Sequence, residues 1–105
     1  MTIELHAAAD AELWAAIDWY EQQEPGLGDR FELAVYRALD RIAENPGAWK
    51  PWSVLPVVRI FSLWRFPFCI PYVVEGGRIV VLAVAHAKRE PGYWQERMIA
   101  NDTAR

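Results

Sequence analysis

The chain has 105 residues, 53% of them hydrophobic, and its 14 acidic and 11 basic side chains give a net charge of −3. This length predicts one domain over residues 1–105, and a single cysteine excludes an internal disulfide. Two histidines and one thiol cannot build a four-ligand zinc site, and the sequence has neither a signal segment nor a run of about 18 apolar residues. We therefore predict a cytoplasmic protein with no metal, no cofactor and no membrane span.

The first half of the chain predicts a short strand followed by two helices. Residues 3–6 alternate apolar and polar side chains, as a strand does, and residues 8–23 repeat apolar side chains at helical spacing. A second helix is predicted to begin at Asp29, an N-cap that would pair with Glu32 in a capping box, and to end at residues 45–47, Asn-Pro-Gly. The short break between the helices predicts an antiparallel helical hairpin.

The first predicted helix has an apolar face and a polar face. The apolar face comprises Leu13, Trp14, Ile17 and Tyr20, and the polar face comprises Glu12, Asp18, Glu21 and Gln22. This pattern predicts an amphipathic helix.

The second half predicts three antiparallel strands and a short terminal helix. Segments 57–64, 68–74 and 79–85 are rich in β-formers, and the last is an apolar run suited to a central strand buried on both faces. Segment 91–98 begins with proline and predicts a helix with that proline in its first turn. Helices followed by strands indicate an α+β fold, in which a three-strand meander plus the N-terminal strand forms a small antiparallel sheet backed by the hairpin.

The Gly76-Gly77 pair predicts the register of the last two strands, because it suits a two-residue hairpin loop. The predicted opposed pairs are Val74 with Ile79, Cys69 with Val84 and Pro67 with His86. This register brings Arg65, His86 and Lys88 to one end of the sheet. Pro71 has no N–H to donate, so we expect a bulge there or an unpaired side.

Charge is distributed unevenly along the chain. Residues 1–50 carry ten acids against four bases, whereas residues 51–105 carry four acids against seven bases. An anionic partner would therefore dock on the second half. The alternative is two ordinary solvated faces.

Polar, titratable side chains are concentrated where the last predicted strand ends, and His86 is the one group there that takes and gives a proton near neutral pH. Such a set suits metal-free RNA cleavage, in which a base activates the 2′-hydroxyl, cations stabilise the phosphate and an acid protonates the leaving oxygen. The predicted catalytic residues are His86, Arg65, Arg59 and Tyr93, and the predicted substrate-binding residues are Arg89, Lys88 and Arg97. In the structural alternative, His86 and Arg89 cap a strand and a helix, and Tyr93 packs the last helix on the sheet. Cys69 is predicted to be a core residue and not a nucleophile.

The order and spacing of six short stretches indicate a family resemblance. They are Trp19-Tyr20-Glu21, residues 25–28 with Arg30-Phe31, residues 42–46, Val58-Arg59, residues 65–68, and residues 84–86 leading to Arg89, Pro91, Tyr93, Trp94 and Arg97. Together they resemble the RelE/ParE family of toxins from bacterial type II toxin-antitoxin modules, often labelled plasmid stabilisation proteins. The resemblance implies a RelE-like fold, a small sheet backed by two helices.

The resemblance implies two toxin mechanisms. Members similar to RelE cleave messenger RNA in the ribosomal A site with basic residues, sometimes a histidine, and a tyrosine, whereas those resembling ParE inhibit DNA gyrase without nuclease residues. Arg59 and Arg65 occupy the strand region where the nucleases place an arginine, and His86 and Arg89 follow the last strand as in the family pattern. We predict an mRNA interferase, a metal-independent endoribonuclease acting at the ribosome; the alternatives are a gyrase inhibitor and an inactive toxin-like binding module.

The resemblance also implies partners. A cognate antitoxin, acidic or amphipathic, is expected to wrap the toxin and cover its basic surface. The other expected partners are the ribosome and mRNA, or DNA gyrase in the alternative mechanism. Both a homo-oligomer and a toxin-antitoxin hetero-oligomer are compatible with the sequence.

Overall fold

The computed structural model describes residues 2–100, with the backbone alone described for residues 99 and 100. The helices are α1 (Ala7–Gln23), α2 (Leu27–Glu44) and α3 (Arg97–Ala100). The strands are β1 (Thr2–Leu5), β2 (Lys50–Pro51), β3 (Arg59–Ser62), β4 (Phe68–Glu75), β5 (Arg78–Val81) and β6 (Ala85–His86). The predicted α+β class is confirmed.

The strands form one sheet in the order β1-β5-β4-β3-β2, with β6 pairing β4. Strands β3, β4 and β5 form the predicted antiparallel meander. Strand β1 runs parallel to β5, with Ile3 opposite Ile79, so the sheet is mixed and not antiparallel throughout. The alternation of side chains predicts on which face of the sheet a residue lies, but it does not predict the direction of the strand. A parallel pair requires a long connection, and the helical hairpin supplies part of it.

The turn between α1 and α2 differs from the predicted capping box. Helix α2 begins at Leu27 with Gly26 as its N-cap, so the prediction that Asp29 caps it was wrong. Glu21 of α1 takes the capping role, because its carboxylate accepts the N–H groups of Gly26 and Gly28 at 2.9 and 3.0 Å. Gly26 adopts a left-handed φ of 89°, which allows the chain to reverse within three residues. The negative charge also suits the positive end of the α2 dipole.

Replacing Gly28 with alanine is expected to destabilise the fold by about 1–3 kcal/mol. An added Cβ would lie 2.6 Å from the carbonyl oxygen of Ile17, so the two helices would have to separate. Urea unfolding measures the loss. Gly47→Ala is the matched control, because no atom lies within 4 Å of its added Cβ. Equal stability of the two variants would contradict the close approach of the helices.

The two faces of the sheet are covered differently. Under the helices, Leu13 and Phe31 pack with Tyr72 in the larger core. On the opposite face Val73 and Trp94 belong to a second buried cluster, which is covered by residues 52–58 and 91–98. The C-terminal segment is therefore an integral part of the fold.

The predicted helix over residues 91–98 begins later than expected. Residues 91–96 form turns, and α3 begins only at Arg97. Gly92 has a left-handed φ of 84°, which ends any helix started at Pro91. The turns direct the Trp94 ring onto the sheet, where it packs 4.9 Å from Trp52 between ring centres.

The hairpin register is confirmed near its turn and shifts beyond Pro71. Val74 lies opposite Ile79, as predicted. An extra residue between β5 and β6 then changes the pairs to Cys69 with Ala85 and Phe68 with His86. The predicted strand over 79–85 is therefore interrupted, although all of its residues are buried.

Pro71 accounts for this bulge. Its carbonyl accepts the Leu82 N–H at 2.8 Å, but it has no N–H to return, so the Leu82 carbonyl loses its ladder donor. The Arg97 guanidinium donates to that carbonyl at 2.9 Å. The carboxylate of Glu12 accepts the N–H of Val84 at 3.1 Å. Side chains from α1 and from the C-terminal segment thus complete the hydrogen bonding of the bulge.

Candidate functional site

Glu12 lies at the centre of a polar cluster that joins three parts of the chain. We refer to Glu12, Tyr93 and Arg97 as the Glu12 cluster. The Glu12 carboxylate is only 18% exposed and accepts hydrogen bonds from the Tyr93 hydroxyl at 2.7 Å and from the Arg97 guanidinium at 2.9 and 3.0 Å. Together with the Val84 N–H, four donors satisfy one carboxylate. The helical pattern placed Glu12 on the polar face of α1 but did not predict these partners.

The cluster changes the acidity of its members. Burial and the hydrogen bond to Glu12 raise the pKa of Tyr93 well above its usual value. Burial lowers the pKa of Arg97, but the hydrogen bond and the charge of Glu12 outweigh it, so the pKa rises. The Arg89 guanidinium lies 3.9 Å from the centre of the Tyr93 ring. Donation of the Tyr93 proton to a substrate would therefore require breaking a buried hydrogen bond.

His86 and Lys88 lie at one end of the sheet with Pro67, as the turn register predicts. The N–H of Ala87 donates to the Pro67 carbonyl at 2.7 Å, which fixes this end. His86 is half-buried, with its ring edge-on to Phe68, and its Nδ1 accepts the Lys88 N–H at 3.0 Å. Since Nδ1 is an acceptor, the neutral imidazole has its proton on Nε2.

The two arginines predicted to act with His86 lie apart from each other. Arg65 is exposed in the loop between β3 and β4, at the His86 end of the sheet. Arg59 begins β3 opposite Tyr72 and donates to the Trp49 carbonyl at 2.7 Å. Three residues of strand, about 10 Å, separate Arg59 from the end of β3 that leads to Arg65. The fold therefore places Arg65 at the same end of the sheet as His86, although the two line different pockets, and it places Arg59 away from that end.

Arg89 lies between His86 and Tyr93 and contacts both. Its N–H donates to the His86 carbonyl at 3.0 Å, and its guanidinium packs on Tyr93. A small cavity of about 110 Å³ lies beside them and is also lined by Trp52 and Cys69. Burial raises the pKa of the Cys69 thiol, which favours the unreactive neutral form. Cys69 was predicted to be a core residue, and it is half-buried at the edge of the second buried cluster.

A larger groove of about 970 Å³ runs between α2 and the β3–β4 loop, and we refer to it as the arginine groove. Its cationic residues are Arg30, Arg37, Arg41 and Arg65. Its apolar lining includes Leu27, Leu33, Trp49, Phe61, Trp64 and Phe66. Leu33 is 49% exposed and Trp64 is 91% exposed, so large apolar side chains meet solvent beside the cations.

The arginines of the groove differ in their partners. Arg30 forms an ion pair with Glu24, and Arg41 lies over the rings of Trp49 and Phe61. Arg37 and Arg65 have no ion-pair partner within residues 2–100. Three of the four arginines come from α2, in the acidic half of the sequence. Counting charge by halves therefore concealed this surface.

Comparison with known proteins identifies the family. A family model described as the ParE toxin of the type II toxin-antitoxin system parDE matches residues 3–91. The chain belongs to the ParE toxin family. A solved structure described as the chromosomal ParDE TA system from P. aeruginosa is 26% identical to this ParE-family chain, with a TM-score of 0.73 over 84% of this chain and 97% of that one. No curated protein matches.

The ParE family match covers part of the candidate site. Residues 3–91 include the arginine groove and the His86 end of the sheet, but they end before Tyr93 and Arg97. Within residues 2–100, no helix of this ParE-family chain is both long and apolar enough to cross a membrane.

Proposed function

We propose that this ParE-family toxin acts by binding DNA gyrase and not by cutting RNA. The observation that carries the proposal is the Glu12 cluster. Tyr93 and Arg97, two of the side chains predicted to serve RNA cleavage, both donate hydrogen bonds to one partly buried carboxylate. General acid catalysis requires a proton donor that can reach the substrate, whereas inhibition by binding requires only a rigid surface. Gyrase is the target that resemblance to the ParE branch implies.

RNA cleavage is the second candidate, and the His86 end of the sheet supports it. His86 is half-buried there, with Lys88 and Arg65 exposed at the same end. Cations beside an imidazole suit a phosphodiester substrate. Cleavage of messenger RNA at the ribosome therefore stays a prediction that the experiment below separates from gyrase inhibition.

The arginine groove fits an antitoxin segment that is acidic on one side and apolar on the other. Trp64 and Leu33 offer exposed apolar surface, while Arg37 and Arg65 offer cations without intramolecular ion pairs in the described part of the chain. An amphipathic helix laid in such a groove would bury both kinds of contact. This proposal differs from the expectation that the antitoxin docks on the second half of the sequence.

The purified chain is expected to inhibit DNA supercoiling by gyrase and to leave messages intact in a ribosome-containing translation extract. Because binding does not need an imidazole, His86→Ala is expected to inhibit supercoiling as strongly as the wild type. Supercoiling gels and message mapping measure the two activities. Cleaved messages that depend on His86, without gyrase inhibition, would support the nuclease instead. If the chain shows neither activity, the result favours the inactive binding module.

A further inference from the structure

Helix α1 presents an exposed aromatic face that the helical pattern did not predict. We define the α1 outer face as Ala11, Trp14, Ala15, Asp18, Trp19 and Gln22, all of which are exposed. Trp14 is 46% exposed and Trp19 is 56% exposed, although the helical spacing groups Trp14 with the apolar face. The residues that pack inward are Ala9, Leu13 and Ile17, on the opposite side of the helix.

The geometry of the helix makes this face a shallow notch. At 3.6 residues per turn, Trp14 and Trp19 stand about 140° apart around the axis, with Ala11, Ala15 and Asp18 between them. The alanines leave the floor low between two large rings. The Trp19 ring is also held in place, because it contacts Tyr20 edge-on at 5.1 Å between ring centres. Tyr20 in turn packs on Phe31 at 5.0 Å.

The charge of the α1 outer face is negative and unpaired. Helix α1 contains no lysine or arginine. Glu12 and Glu21 have intramolecular hydrogen-bond partners, the first in the Glu12 cluster and the second at the start of α2. Asp18 is exposed and has no hydrogen bond or ion pair within residues 2–100. A carboxylate thus lies between two exposed indole rings without an intramolecular partner.

We propose that the α1 outer face binds a protein that presents an arginine or lysine side chain, and that this protein is the cellular target of the toxin. A cation in the notch can pair with Asp18 and lie against the face of Trp14 or Trp19, where cation–π attraction adds to the ion pair. Tryptophan is also enriched among the residues that dominate binding energy at interfaces. The inference rests on the proposed function in one respect, that the toxin acts by binding a protein.

The charge of this face distinguishes its occupant from the other candidates. The arginine groove is cationic and suits an acidic segment. The α1 outer face is acidic, so it suits a basic partner, which differs in charge from the segment that fits the groove. A symmetric pair of copies joined through this face would bring two acidic helices without a base into contact, which like-charge repulsion disfavours. A basic target surface satisfies both the carboxylate and the indoles.

The test is growth arrest of bacteria in which the chain is induced without an antitoxin. Asp18→Lys and the double variant Trp14→Ala with Trp19→Ala are expected to need roughly tenfold more toxin for the same loss of colonies, as for the loss of interface anchors. Asp40→Lys is the matched charge control, because Asp40 is exposed on α2 and has no ion-pair partner in residues 2–100. Val54→Ala is the control for loss of an exposed apolar side chain, because Val54 is 68% exposed and lies outside both the α1 outer face and the arginine groove. Circular dichroism verifies folding, and Asp18→Asn replaces any variant that fails to fold.

The outcomes separate this inference from the proposed function. Full growth arrest by the α1 variants, or no arrest by the wild type, would overturn the inference. The supercoiling assay with purified wild-type protein and gyrase would then test the proposed function independently. Weakened arrest by the α1 variants, with no effect of the wild type on gyrase, would support the face and reject gyrase as the target. Full toxicity together with self-association that Asp18→Lys abolishes would assign the face to a second copy instead.

Discussion

Glu12→Ala is expected to destabilise the protein by about 3 kcal/mol, the lower end of the cost of breaking a buried ion pair, because this pair is partly buried. The substitution removes one carboxylate but leaves the three groups that supplied its four hydrogen bonds, the Arg97 guanidinium, the Tyr93 hydroxyl and the Val84 N–H. The Arg97 side chain is only 18% exposed, so its charge would remain in a place that water reaches poorly. Urea unfolding at neutral pH measures the effect.

Two further variants show whether the loss comes from this network. Asp18→Ala removes a carboxylate from the same helix, but Asp18 has no ion pair in the described residues, so its stability is expected to change by less than about 0.5 kcal/mol. A double-mutant cycle of Glu12→Gln with Arg97→Gln is expected to show coupling, because the two side chains share two hydrogen bonds. Additive losses in that cycle would contradict a shared network.

Local signals in the sequence predicted the parts of the fold that depend on local chemistry. The Gly76-Gly77 turn set the register at Val74 and Ile79, which the structure confirms. Pro71 was identified as a residue that cannot complete the ladder. The donor that replaces the missing Pro71 N–H was not predictable, because the Leu82 carbonyl accepts a hydrogen bond from Arg97, which comes 15 positions later in the chain. A local pattern identifies a missing donor but does not say which distant side chain replaces it.

The candidate site shows the same limit. Helical periodicity placed Glu12 on the polar side of its helix, which the structure confirms. Periodicity carries no information about which other segments cover that side. Its partners Tyr93 and Arg97 are more than 80 residues away in sequence. Periodicity likewise grouped Trp14 with Leu13 and Ile17, although Trp14 lies at the edge of that stripe and stays exposed. The surroundings of Glu12 and Trp14 could be determined only from the tertiary structure.

Reversing the charge of Arg37 and Arg65, by Arg37→Glu with Arg65→Glu, is expected to weaken antitoxin binding by at least about tenfold and to slow association. These arginines have no ion-pair partner in residues 2–100, so their charge is available to an acidic segment in the arginine groove. The remaining binding is expected to depend less on salt, since fewer ion pairs form. Association and dissociation rates of the cognate antitoxin, measured at several salt concentrations, test this.

Lys88→Glu provides the matched control for the arginine groove. Lys88 is exposed at the His86 end of the sheet, outside the groove, and its replacement makes the same change of charge at one site. If the groove binds the antitoxin, Lys88→Glu leaves its affinity close to that of the wild type. If Lys88→Glu weakens binding and the paired arginine variant does not, the antitoxin uses the basic second half of the sequence, and the groove takes another partner. Weakening by both variants in proportion to the charge that each one changes, twice as much for the paired arginine variant, would indicate attraction by net charge alone, because a defined contact surface discriminates between positions and long-range attraction does not.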